Sequence, residues 1–289
     1  MTEKPVLGVI GGSGLYQFDG LENIQTLDVD TPFGKPSSPI LTGNLAGKKI
    51  AFLARHGIGH TINPNEINYR ANIYALKSTG VRFIIGVSAC GSLRQDFQPG
   101  EFVIPDQIVD FTRSRKASFF EDGIVAHISS ADPFCPSFSS TLWEAANNTE
   151  VVTHKGGTII TIEGPRFSTK AESHLFRSWG ISMIGMTTCP EAFLAREAEL
   201  CYASLAHITD YDVWHTSEAP VSVEMVVHTL EDNAAAAQKT IAELIARIDD
   251  QEDCSCHHAL EKAIITQPGK ISAAAKEKLG LLVDKYLVS

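Results

Sequence analysis

No apolar run in this 289-residue chain approaches the roughly 20 residues that a membrane span needs. Residues 1–20 show no basic stretch followed by an apolar one, so nothing there reads as a secretory leader, and a cytoplasmic setting is expected. Basic residues are in short supply. The chain has 24 Lys and Arg against 34 Asp and Glu, a formal net charge of −10. A surface of that sign repels a phosphate backbone, so no nucleic-acid partner is expected. Any phosphate the protein handles must be held by a local concentration of donors acting against the overall field. Internal repeats, low-complexity segments and a lysine-containing P-loop are also missing. What is present is ordinary for a globular protein with a sizeable core: 44% apolar and 20% charged residues, enough chain for one large domain or two.

Six cysteines are present. Cys90, Cys135, Cys189 and Cys201 stand singly among apolar or motif residues and are expected as small buried side chains. Cys254-Ser255-Cys256-His257-His258 is denser. Its spacing does not match that of closed tetrahedral zinc sites, so a thiol pair or a plain tail is expected there, and no metal.

Short apolar runs alternate with helical patterns along the chain. Residues 6–10 read as a buried strand running into Gly11-Gly12-Ser13-Gly14, a turn whose backbone N–H groups can approach an anion. A dinucleotide fingerprint is excluded, because the third glycine is missing and no helical pattern follows. Lys49–Ala54 is a second strand, ending in Arg55-His56-Gly57, where a guanidinium beside an imidazole suits bidentate binding of an oxyanion. Glu66–Ser78 predicts a helix stopped by Gly80. Val81–Val87 predicts a strand ending in Ser88-Ala89-Cys90-Gly91-Ser92, and two short strand pieces flank Pro105. Residues 111–127 form a long polar loop with Arg113 and Arg115, and loops of that length are more often functional than idle. A helix over Ser137–Asn147, a strand over Gly157–Glu163, a helix over Glu172–Trp179, a strand over Ile181–Ile184 and a helix over Glu191–Leu200 follow. Val221–Asp249 reads as one long amphipathic helix. The pattern implies an α/β fold with a largely parallel sheet. A catalytic domain over 1–250 and a helical tail over 251–289 are expected.

The stretch Cys201–Trp214 carries the sharpest signal. A buried run from Tyr202 to Ile208 ends in Thr209-Asp210-Tyr211-Asp212. If strand geometry persists, the two carboxylates share one side, and their repulsion with a low-dielectric wall raises at least one pKa. Such a group, protonated near neutral pH, can act as a general acid. An acidic turn capping the next helix is the plainer alternative. Ser13, Arg55, His56, Ser88, Met186, Thr187, Asp210 and Asp212 all lie just past a predicted strand, where α/β folds bind ligands. Anion donors without a carboxylate gather at one end of this set and carboxylates at the other. That combination fits phosphorolysis of a nucleoside: phosphate attacks the sugar carbon through an oxocarbenium-like state while an acid protonates the base.

The segments GGSGLY, TPFGKPS, ARHG, INYRANIYALK, ACGSL, QPGEFVIPDQIVDFT, TIEGPRFST, GMTTCPEAFLAREAELCYAS and TDYDVW together resemble the purine nucleoside phosphorylase family, in particular its branch that cleaves methylthioadenosine. The resemblance runs from about Val6 to Ile248. It implies a single domain with a mixed central sheet flanked by helices, a homotrimer, and inorganic phosphate as co-substrate with no other cofactor and no metal. It implies phosphate held by Ser13, Arg55, His56, Ser88, Ala89 and Thr187, and Met186 on the ribose. Phe167, Ser168, Asp210 and Asp212 would line the base, Val223 and Val226 the methylthio group, and His127 a neighbouring subunit's site. Asp210 is the implied general acid and the residue that favours adenine. A broader purine nucleoside phosphorylase, taking 6-oxopurine or methylthioinosine substrates, is the alternative. Cys254-Ser255-Cys256 resembles the cysteine pair of some thermophilic members.

Overall fold

The computed structural model describes residues 4–12, 20–216, 221–251 and 253–287. Among these, β1 (Leu7–Gly11), β2 (Glu22–Leu27), β3 (Ile40–Leu45) and β4 (Lys48–Ala54) precede helix α1 (Tyr69–Thr79). Then come β5 (Phe83–Ser92), β6 (Phe102–Ile104), β7 (Gln107–Phe111), α2 (Pro136–Ala146), β8 (Thr153–Lys155), β9 (Thr158–Ile162) and α3 (Lys170–Ser178). The chain continues through β10 (Met183–Gly185), α4 (Thr188–Glu197), β11 (Cys201–Asp210), α5 (Val223–Asp232), α6 (Ala234–Arg247) and α7 (Ala273–Val283). All these strands form one mixed sheet with the path β2-β3-β4-β1-β5-β10-β9-β7, while β11 joins β5 to a branch of β6 and β8.

β5 is the strand on which the site depends. It runs parallel to β1 from Phe83 to Gly86 and parallel to β11 from Phe83 to Gly91, then meets β10 antiparallel at Gly91 and Ser92. Its sequence has no period-two alternation because both faces are covered. β11 is buried at every position. Tyr202, Ala206 and Ile208 face a core with Leu76 of α1, Leu194 of α4 and Leu282 of α7. Cys201, Ala203 and Leu205 face a second core with Leu142 of α2 and Leu244 of α6. Each fully buried Leu or Ile contributes about 1.5–3 kcal/mol, so the sheet is held rigid between two helical layers and its strand ends are fixed in space.

Local chemistry explains where elements start and stop. The Asn68 side chain accepts from Ala71 N and delays α1 to Tyr69, past the expected Glu66, while Gly80 at φ +94° ends it. A capping box between Thr169 and Glu172 starts α3 at Lys170. The expected single helix over 221–249 is instead two. Asn233 forms the joint between α5 and α6 at φ −94°, ψ 0°, and its side chain donates to Gly100 O at 2.8 Å. β2 and β3, where no element is expected from the sequence, pair with each other, and the wholly exposed β2 carries no apolar pattern to announce it. The tail is not detached: Leu279 and Leu282 of α7 join the same core as α1. Cys90, Cys135, Cys189 and Cys201 are buried as expected, but Cys135 and Cys201 also converge on Cys254 and Cys256. No helix among the described residues is long and apolar enough to cross a membrane.

Candidate active site

A cavity of about 710 Å³ opens at the carboxyl ends of β1, β4, β5, β10 and β11. Gly12, Arg55, His56, Ser88, Ala89, Met186 and Thr187 line it, together with Phe167, Ser168, Asp210, Asp212, Val223 and Val226. Thirteen residues far apart in sequence thus share one volume because each follows a strand end or opens the next helix. Ser13 lies outside the described residues. His127 does not line this cavity; it is exposed, and its N–H donates to Ala263 O at 2.9 Å.

At one side, Ser88 and Thr187 bring their hydroxyls to 3.3 Å of each other. His56 holds its Nδ1 at 2.9 Å from the Ile62 carbonyl, so Nδ1 carries the proton and Nε2 is the remaining ring nitrogen. Burial, with the Arg55 charge second, pushes its pKa down to about 4.

Arg55 corrects the sequence reading. Its bidentate fork is already filled: Nε and Nη2 each donate to the Glu191 carboxylate at 2.8 Å, and Nη1 donates to Val87 O at 2.8 Å. Both partners are essentially unexposed. Tyr202 adds its hydroxyl to Glu191 at 2.7 Å. Gly86 makes this possible, since a Cβ there would sit 2.1 Å from the Tyr202 hydroxyl. Nη2 also donates to Ile10 O at 3.3 Å, so Arg55, on the cavity wall, fastens β1, β4, β5 and α4 together and leaves one Nη1 N–H to face an anion.

At the other side stand the two carboxyls, both buried. They are not brought together by strand alternation. β11 ends at Asp210 after an irregularity in its register, and Asp212 takes a left-handed conformation at φ +49°. The Asp212 N–H then turns back onto Asp210 Oδ1 at 2.7 Å, and the Thr209 hydroxyl donates to Asp210 Oδ2 at 2.7 Å. Burial raises the Asp210 pKa, outweighing these two donors. Asp212 is raised as well, by burial first and by the Asp210 charge among lesser causes. Asp212 Oδ2 has no hydrogen-bond partner among the described residues. Gly91 leaves room for the pair, because a Cβ there would lie 2.8 Å from Asp210 Oδ1.

Three contributors were not singled out as site residues from the sequence. Glu191 sits in a helical pattern and gives no sign of its partner. Arg115, from the long loop, binds the carbonyls of Met186 and Cys189 at 2.7 and 2.6 Å and that of Glu163 at 2.8 Å, locking the turn that presents Met186 and Thr187. His207 lines the cavity in the middle of the apolar run of β11; it stacks on Phe102 at 4.4 Å and neither ring nitrogen has a partner among the described residues. A lone polar residue inside an otherwise apolar strand was the available signal.

Among the described residues the cavity holds no cluster of metal-ligating side chains. It offers hydroxyl and imidazole groups on one side and buried carboxyls on the other. Ser88 and Gly91 are three positions apart on β5, which puts the two sides roughly 10 Å apart along the strand. A ribose flanked by an anion and a purine fills such a span.

This fold and this arrangement are those of a phosphorylase. Residues 6–246 match the phosphorylase superfamily model, and the chain belongs to that superfamily. Its similarity is specific within it. The S-methyl-5′-thioadenosine phosphorylase of Geobacter sulfurreducens is 50% identical over 285 residues, 98% of this chain and 100% of the relative. That of Nitrosopumilus maritimus is 51% identical over 262 residues, covering 90% and 99%. A methylthioadenosine phosphorylase from an antarctic soil metagenomic library superposes with a TM-score of 0.93 at 45% identity, covering 98% and 100%. The Schistosoma mansoni methylthioadenosine phosphorylase in complex with adenine gives a TM-score of 0.84 at 34% identity, covering 90% and 99%. The chain thus stands among the S-methyl-5′-thioadenosine phosphorylases, as its motifs led us to expect.

Proposed function

We propose that the protein cleaves S-methyl-5′-thioadenosine with inorganic phosphate, giving adenine and 5-methylthioribose 1-phosphate. The observation that carries this reading is the buried carboxyl pair three residues along β5 from the Ser88–Thr187 hydroxyls. Phosphate is held by Ser88, Thr187, the Ala89 backbone and His56, with Ser13 and the remaining Nη1 N–H of Arg55 as further donors. As a phosphate oxygen bonds to the anomeric carbon, the glycosidic C–N bond breaks and its electron pair passes to the purine. Asp210, whose carboxyl burial pushes toward the protonated form, gives its proton to N7. Asp212 accepts from the 6-amino group, Phe167 and Ser168 border the base, Met186 lies against the ribose, and Val223 and Val226 pack the methylthio group. Phosphate on one face and a carboxyl at the base stabilise the cationic sugar between them. No cofactor takes part.

The same reading makes the protein a cytoplasmic homotrimer in which His127 serves a neighbour's site. Its exposure away from its own cavity supports that role. The test is purine release from S-methyl-5′-thioadenosine, 5′-methylthioinosine and inosine, each with and without phosphate. Adenine release that depends on phosphate, with slow turnover of both 6-oxo nucleosides, is expected. Equal release without phosphate would make the enzyme a hydrolase, and equal rates on 6-oxo nucleosides would make it a broader phosphorylase.

A further inference from the structure

Four cysteines that the active site does not use meet at the far end of β11. Cys135 caps the N-terminus of α2, Cys201 opens β11, and Cys254 and Cys256 come from the tail at the short 3-10 turn Ser255–His258. Their sulfurs all lie within 4.8 Å of one another, and Cys135 Sγ and Cys254 Sγ are 3.6 Å apart. We propose that these four thiolates bind one zinc ion that pins the tail to α2 and to the start of β11.

The distances suit the ion. With Zn–S bonds of 2.3 Å, the edges of a tetrahedral tetrathiolate site are about 3.8 Å, within the range that the four sulfurs already span. Cys135, Cys201 and Cys256 are buried, so a closed site with no open position is what the surroundings allow. Cys254-Ser255-Cys256 alone has the wrong spacing for such a site, and the fold supplies the two missing ligands.

The groups around the sulfurs are donors. Arg196 Nη1 lies 3.3 Å from Cys256 Sγ, and the Ser137 hydroxyl 3.4 Å from Cys135 Sγ. His257 Nε2 is 3.5 Å from Cys201 Sγ, while its Nδ1 faces Arg82 Nη2 at 2.8 Å. A guanidinium has no acceptor, so Nδ1 must accept and Nε2 carries the proton toward the sulfur. N–H and O–H donors on three of the four sulfurs are what a doubly negative zinc tetrathiolate needs from its outer shell, and disulfide sulfurs, being weak acceptors, have no use for them. The nine steps from Cys201 to Asp210 put the ion roughly 30 Å from the carboxyls, so its role is structural and independent of the phosphorolysis reading.

The test uses full-length protein without a histidine tag, isolated under reducing conditions. Metal analysis should find one zinc per chain, and replacement by Co²⁺ should give the thiolate charge-transfer and tetrahedral d–d bands of a tetrathiolate site. Cys254→Ser with Cys256→Ser should abolish both, whereas Cys189→Ala should keep them. Chelation should lower the melting temperature of the wild type. Should the paired variant not fold, the wild-type metal content and cobalt spectrum decide alone. Reduced wild-type protein that holds no zinc and gives no thiolate–cobalt spectrum with added Co²⁺ overturns the proposal, as do native Cys135–Cys201 and Cys254–Cys256 disulfides in peptide maps.

Discussion

Arg55→Ala should act first on stability and only secondarily on phosphate. The truncation leaves the Glu191 carboxylate, which has no exposed surface, with the Tyr202 hydroxyl as its remaining hydrogen-bond partner of the two. Two unit charges about 4 Å apart at an effective dielectric near 20 attract by about 4 kcal/mol. Removing one member of a buried pair costs about 3–5 kcal/mol, since the other charge stays buried. For a chain of this length that corresponds to a fall in melting temperature of roughly 6–10 °C. Replacing both partners by apolar residues, Arg55→Met with Glu191→Leu, should recover much of the loss, because no uncompensated charge remains. Thermal unfolding of the three proteins measures the effect, and phosphate KM at a temperature where all are folded separates binding from folding. Wild-type stability in Arg55→Ala, with only the phosphate KM raised, would refute the reasoning and return the guanidinium fork to the anion.

Two further outcomes follow from residues that line the cavity. Gly91→Ala would place a Cβ 2.8 Å from Asp210 Oδ1 and 3.1 Å from Ile184 Cγ2, so kcat/KM should drop by about 10²-fold as the acid is displaced; Gly269→Ala, which meets nothing within 4 Å, is the inert control, and an equal effect of the two would deny the crowding. Burial holds the His207 pKa at about 4, below its unfolded value near 6.5, so the unfolded chain binds the extra proton between those pH values and stability is lost as pH falls through that window. His207→Leu removes that loss, and its stability relative to wild type should rise by roughly 3 kcal/mol between pH 7 and pH 4; a constant difference in denaturant melts would show that His207 does not titrate as described.

Much of this site was legible in the chain because strand ends are marked by local composition. Apolar runs stopping at Gly12, Arg55, Ser88, Met186 and Asp210 located the cavity wall, since in an α/β sheet those positions converge. What stayed hidden depends on pairing at a distance. Nothing near Glu191 announces Arg55, 136 residues away, so the guanidinium looked free for phosphate. The carboxyls meet through a left-handed Asp212 and a backbone N–H, not through alternation, and no local pattern distinguishes those routes. The break at Asn233 was invisible to periodicity because α5 and α6 keep an apolar stripe across it, and only the contact with Gly100 shows why the helix divides. The cysteines failed for the same reason as Glu191: the ligands that complete Cys254 and Cys256 lie more than fifty residues away.

The central claim is that buried Asp210 is the acid at the purine, and the Asp210→Asn variant tests it most directly. Steady-state rates on S-methyl-5′-thioadenosine and 5′-methylthioinosine are to be measured for wild type and variant with phosphate saturating. An amide supplies no proton, so kcat on the adenine substrate should fall by about 10²-fold or more. The amide can donate to a 6-oxo group, so relative preference should move toward methylthioinosine. A variant that keeps both the wild-type rate and the adenine preference would contradict the account and pass the role to Asp212.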